Sequence, residues 1–171
     1  MTYKRIHIIG STGSGKTYLA RTLSSQLNIP YFELDKVMWS SSVEFAGKNP
    51  PERRDRLLED IISEEEWIIE GIYYKWVMRS FEEADIIIFL TPKPMVRAIR
   101  IVLRFIKQRI GLEKANYKQT FKGLIDMLEW NYKFDSENKN KIYELLEHHK
   151  RKLIIVDSNK KVLSMKIFKE E

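Results

Sequence analysis

Gly10-Ser11-Thr12-Gly13-Ser14-Gly15-Lys16-Thr17 is the stretch on which the reading of this chain turns. It matches G-x-x-x-x-G-K-[ST] and stands in the context that pattern requires. Ahead of it, Lys4–Ile9 carries Ile6, Ile8 and Ile9 and reads as a strand. Behind it, Thr17–Leu27 repeats leucine at 19, 23 and 27, one apolar face of a helix. Gly10, Gly13 and Gly15 let the backbone curl with its N–H groups pointing inward, a nest for phosphate oxygens. The helix start adds the positive end of its dipole. Lys16 is placed to reach β- and γ-phosphates, and Thr17 to offer its hydroxyl to Mg²⁺. All eight residues are expected to line the phosphates of a nucleotide.

Working outward, Tyr31–Leu34, Trp67–Glu70, Asp85–Leu90 and Leu153–Val156 read as four more strands. Asp85–Leu90 is apolar after its first residue, as a strand buried on both faces should be. Asp35–Lys48, with Ser40, Ser41, Ser42 and Gly47, reads as a loop. Asn49-Pro50-Pro51-Glu52 reads as a helix start with Asn49 as cap and Glu52 reaching back. That helix runs to about Glu66. Pro92 opens a long helix to about Ile110, with Gly111 as its C-terminal stop. Val96, Ile99, Leu103, Ile106 and Ile110 form its expected core stripe, and Arg97, Arg100, Arg104 and Lys107 a basic stripe beside it. Two further helices are centred on Leu124–Leu128 and Ile142–Leu146, and the tail 162–168 fits helix or strand. Strands alternating with helices imply a parallel sheet covered on both faces. Ligands of such sheets bind beyond the carboxyl ends of the strands.

With 171 residues the chain is one domain, 1–171. Its 43% hydrophobic and 32% charged residues are ordinary globular usage, which excludes a disordered tail protein. No apolar run approaches the roughly 18–20 residues of a membrane span. The opening MTYKRIHIIG lacks the pattern of a secretory signal, and a cytoplasmic location is expected. There is no cysteine, so disulfide scaffolds, Cys-ligated zinc and thiol nucleophiles are excluded.

The net charge of +6 has one source. Lys93, Arg97, Arg100, Arg104, Lys107 and Arg109 lie within one acid-free segment, and elsewhere the basic residues only equal the 24 acidic ones. This concentration points to a local anion site. A GTPase should carry N-K-x-D, but Asn138-Lys139-Asn140-Lys141 and Asn159-Lys160-Lys161-Val162 both lack the aspartate. No D-x-x-G switch is found either. A small-molecule kinase is the class that remains.

The order of GSTGSGKT at Gly10–Thr17, LDKVMW at Leu34–Trp39, WIIEGIY at Trp67–Tyr73, ADIIIFL at Ala84–Leu90 and RIVLR at Arg100–Arg104 resembles the adenylate-kinase-like branch of phosphate-loop kinases. Within it, the chain is most similar to the DNA topology modulation (FlaR-type) family. The resemblance implies a three-layer αβα fold with a five-stranded parallel sheet in the order 2-3-1-4-5. It also implies a short helical lid at about 104–120, and ATP with Mg²⁺. It leaves the acceptor open.

On this reading Asp35, after the second strand, accepts a proton from an acceptor hydroxyl or orients it. Trp39 can wall the acceptor pocket. Glu70, ending the third strand, is a Mg²⁺ residue with Thr17. The family's Asp-Gly-Asn-Tyr appears here as Glu70-Gly71-Ile72-Tyr73, so an amide is missing at Ile72. Arg100 and Arg104, four apart on one helical face, are expected to clamp the transferring phosphoryl group, extended by Arg97 or Arg109. Arg79 is a further candidate for acceptor contact. His7 reads as a core or flanking residue, while Tyr117, Trp130 and Tyr132 read as helix core. Lys16, Asp35, Arg100 and Arg104 are thus the candidate catalytic residues, and a small phosphate acceptor is the expected partner. A nucleotide-dependent nucleic-acid-binding regulator is the alternative, resting on the basic helix and a pI near 9.4.

Overall fold

The computed structural model describes residues 3–40, 47–113 and 120–168. β1 (Arg5–Gly10) lies at the centre of a five-stranded sheet with β5 (Trp67–Gly71) on one side and β6 (Ile86–Leu90) on the other. β2 (Tyr31–Glu33) and β7 (Leu153–Val156) close the two edges. Every pairing is parallel. Two-residue strands β3 (Trp39–Ser40) and β4 (Gly47–Lys48) form a separate antiparallel pair. The sheet order is β2-β5-β1-β6-β7. With the small pair set aside, this is the expected order of five.

The side chains show why the sheet forms. Ile86, Ile88 and Leu90 of β6 join Ile6, Ile8 and Ile68 on one face, against Leu19, Ala20 and Leu23 of α1 (Lys16–Leu27). Val162 of α8 (Asn159–Leu163) packs there too. Ile87 and Phe89 join Ile9, Trp67 and Ile69 on the other face. There they meet Leu58 and Ile62 of α3 (Pro51–Ile62), Phe81 of α4 (Met78–Glu83), and Ile142 and Leu146 of α7 (Lys139–Glu147). Successive residues of a strand point to opposite faces, so a strand covered on both sides must be apolar throughout. His7 is a buried polar exception on the central strand: its Nδ1 lies 3.0 Å from Ser80 Oγ, which itself donates to Val77 O.

Several local expectations are corrected. The segment read as a loop from Asp35 contains α2 (Leu34–Met38), which buries Leu34 and Val37, and leads into β3; residues 41–46 lie outside the described residues. Five residues are too few for helical periodicity to show. Asn49 does not cap α3. Pro50 occupies that position, and Asn49 Nδ2 donates to Val37 O at 2.9 Å, tying β4 to α2. α3 ends at Ile62 rather than Glu66.

α5 (Pro94–Arg109) is rotated relative to expectation. Val96, Ile99, Leu103, Ile106 and Ile110 are exposed, and the buried line is Arg97, Ile101 and Phe105. The physical reason is crowding: Gly13 of the loop lies so close under α5 that a Cβ there would meet Arg97 O at 2.7 Å and Ile101 Cγ1 at 3.1 Å. α6 (Phe121–Lys133) packs on α5 through Phe105 and Phe121, and a π-helical turn at Phe134–Asn138 joins it to α7. Trp130 and Tyr132, expected as helix core, are exposed. Tyr117 and the lid segment at 114–119 lie outside the described residues; the part of the expected lid at 104–109 continues α5.

Candidate functional site

The loop between β1 and α1 is shaped by two glycines. Gly13 has φ 75° and Gly15 φ 96°, left-handed conformations that side chains avoid. A Cβ on Gly15 would also lie 2.6 Å from Asn159 Nδ2. Gly15 takes the N-cap position of α1, and no side chain caps the helix there. The first-turn amides of α1 therefore stay open toward an anion, at the positive end of a 12-residue helix. Ser14 N donates to Ser11 O at 3.2 Å, closing the curl, while Ser14 Oγ is buried without a partner. This cradle fits a nucleotide's phosphates.

Lys16 Nζ donates to Ser11 O at 3.0 Å. Burial holds its ammonium below the usual lysine range, opposed by the charges of Glu70 and Asp35 and reinforced by Arg104. Thr17 Oγ1 donates to Glu70 Oε1 at 2.6 Å, joining the start of α1 to the end of β5. Burial pushes the Glu70 carboxyl up, against Lys16 and the Thr17 hydroxyl, which hold it down. Thr17 and Glu70 offer hard oxygen donors side by side at the mouth of the loop, a set suited to Mg²⁺ with most of its shell left to water and phosphate.

Asp35 stands exposed in the first turn of α2, beyond the end of β2. Its Oδ1 accepts from Tyr73 Oη at 2.9 Å. Trp39 is 49% exposed, with Lys48 Nζ 5.5 Å from its ring centre. Arg100 reaches the loop: its Nη1 donates to Ser14 O at 2.9 Å and to Gly13 O at 3.3 Å. Arg104 Nη2 approaches Met127 Sδ at 3.5 Å.

Other candidates fall elsewhere. Arg97 is fully buried and serves the fold: Nε donates to Asn131 Oδ1 at 2.6 Å, Nη1 to Pro92 O, and Nη2 to Asn131 O and Asp135 Oδ2. Arg79 is engaged on the surface with Glu59 at 2.6 Å. A surface cavity of about 560 Å³ lined by Glu147–Lys152 lies at the end of α7, away from the phosphate loop.

Two residues escaped the sequence reading. Asn159 Nδ2 donates to Gly15 O at 3.0 Å from beyond the end of β7. Its place after a parallel strand was the available signal. Tyr73 sits two residues beyond the end of β5, and nothing in the spacing tied it to Asp35.

No protein-family model matches the chain. Among solved structures it is similar to shikimate kinase from Acinetobacter baumannii in complex with shikimate, at 14% identity and TM-score 0.52 over 95% of this chain and 92% of that one. Shikimate kinase from Bacteroides thetaiotaomicron matches at 19% identity and TM-score 0.50, over 92% and 88% of the two chains. A gluconokinase from Sinorhizobium meliloti 1021 matches at 16% identity and TM-score 0.50, over 90% and 82%. The fold is therefore the αβα phosphate-loop fold. The three solved structures named are two shikimate kinases and a gluconokinase.

Proposed function

We propose that the protein is an ATP-dependent phosphotransferase that moves the γ-phosphoryl group to a hydroxyl of a small acceptor. The observation that carries this reading is convergence. The open amides of α1, the Thr17–Glu70 pair and Asp35 come from the ends of β1, β5 and β2, and all act on Lys16 or its neighbours. The motif order also supports a place beside the FlaR-type proteins, and a cytoplasmic location accords with that.

On this reading the amides from Ser11 to Lys16 hold the phosphates and Lys16 balances charge on the transferring group. Thr17 and Glu70 would hold Mg²⁺, which when bound neutralises phosphate charge. Asp35 receives the acceptor's proton as the new O–P bond forms. Arg100 fixes the loop carbonyls, which keeps the amides turned inward, and Arg104 adds positive charge beside Lys16. Catalysis of this kind is positioning plus electrostatics.

The basic segment is not a continuous track for a polynucleotide. Arg97 is consumed internally and Arg100 at the loop. A screen of hydroxyl acceptors (polyols, sugars, nucleosides) with ATP and Mg²⁺, in the parent and Lys16→Ala, tests the proposal. Acceptor-dependent ADP release that the variant lacks is expected; equal turnover in both would overturn it.

A further inference from the structure

An exposed aspartate on a five-residue helix should sample several orientations, yet Asp35 is held from outside its own element. Tyr73, 38 residues away, donates its phenol proton to Oδ1 at 2.9 Å. The direction of that bond is fixed by chemistry, since an ionised carboxylate can only accept. Tyr73 is itself braced. Tyr73 packs on Trp76 with ring centres 5.3 Å apart, and the Arg54 guanidinium lies 4.7 Å from the centre of the Trp76 ring. No hydrogen bond reaches Oδ2 of Asp35 among the described residues.

We propose that Tyr73 is a positioning residue that holds Oδ1 of Asp35 and so leaves Oδ2 as the oxygen that meets the acceptor. This rests on the reading of Asp35 as the acceptor-facing carboxylate. In the transfer step the acceptor oxygen bonds to the γ-phosphorus, and the bond from that phosphorus to the β,γ-bridging oxygen breaks. Its electron pair leaves with ADP, and the acceptor's proton passes to Oδ2. Tyr73 keeps its own proton throughout, because burial and the adjacent carboxylate both oppose its ionisation. The other charges facing Asp35 are Lys16 from α1 and Glu70 from β5, with Lys36 and Glu33 paired to each other beside it at 3.1 Å.

The test uses nucleotide-free protein and Tyr73→Phe, which keeps the ring and removes the donor. At neutral pH the Asp35 carboxyl ¹³C resonance is expected to move from its parent position toward that of a solvated carboxylate, since a donor to Oδ1 is lost. A folded Tyr73→Phe with that resonance unchanged overturns the proposal. If Tyr73→Phe fails to fold, the parent's Tyr73 phenol proton decides: a downfield, slowly exchanging resonance supports the bond, and exchange as fast as a free phenol's overturns it. With a working acceptor, Tyr73→Phe should lower kcat about tenfold or more with KM little changed. An absence of turnover in the parent would remove the kinase reading while the resonances still decide the bond.

Discussion

Thr17 on the first turn of α1 and Glu70 at the end of β5 are 53 residues apart and share a 2.6 Å hydrogen bond in which the hydroxyl donates. The bond places the only hydroxyl of the loop's lysine–threonine pair against a carboxylate that burial would otherwise push toward neutrality. Such an arrangement holds two oxygens ready where a divalent ion would sit. Glu70→Ala is expected to remove most of the gain in ATP affinity that Mg²⁺ gives the parent and to lower turnover about 10–100-fold. Calorimetric titrations with and without EDTA measure the first effect. An unchanged Mg²⁺ dependence would detach Glu70 from the metal.

The arginines of α5 separate into two kinds. Arg97 is buried with four hydrogen-bond acceptors around it, so Arg97→Ala strands Asn131 and Asp135 and should cost about 3–5 kcal/mol of stability. Arg104→Ala should leave the urea midpoint nearly unchanged and lower turnover about 100-fold. Similar stability losses in the two variants would contradict this division.

Glycine substitutions should follow space as well as φ. Gly13→Ala places a Cβ 2.7 Å from the backbone oxygen of Arg97 at φ 75°, whereas Gly111→Ala meets nothing at φ 76°. Gly13→Ala is expected to cost about 2 kcal/mol or more beyond the roughly 1–2 kcal/mol of the left-handed conformation itself, and Gly111→Ala only the latter. Denaturant unfolding of the two variants gives the comparison; equal costs would show that the loop does not pack against α5 as described.

His7 supplies a pH dependence with a definite sign. Burial lowers its pKa from 6.5 to about 3. As pH falls below 6.5 the unfolded chain takes up a proton that the native state refuses, so stability is lost as pH falls from that point toward about 3. His7→Phe removes the titration and leaves the Ser80 hydroxyl bonded to Val77 O. Between pH 6 and pH 4 the variant's stability should fall less steeply than the parent's, by about 1.4 kcal/mol per pH unit. Parallel acid limbs in urea titrations would contradict the burial of His7.

The features legible in the sequence were those with local signatures. The loop from Gly10 to Thr17 announces itself by glycine spacing, and β6 by an apolar run that only two covered faces explain. α5 was misread because its helix has two plausible inner faces. Periodicity chose the aliphatic line through Ile99 and Leu103, whereas the crowding of Gly13 and the packing of Phe105 on Phe121 chose the line through Arg97 and Ile101. Asp35 was legible as a strand-end carboxylate. Its bond to Tyr73 was not, because a contact across 38 residues leaves no trace in spacing.

The central claim is that the amides from Ser11 to Lys16 form a preorganised cup for a nucleotide's phosphates. Isothermal titration of the protein with ADP and Mg²⁺ tests it most directly. Saturable heat at one nucleotide per chain, abolished in Gly13→Ala and strongly weakened in Lys16→Ala, is the predicted result. An absence of heat in the parent, together with no thermal shift at millimolar nucleotide, would contradict it.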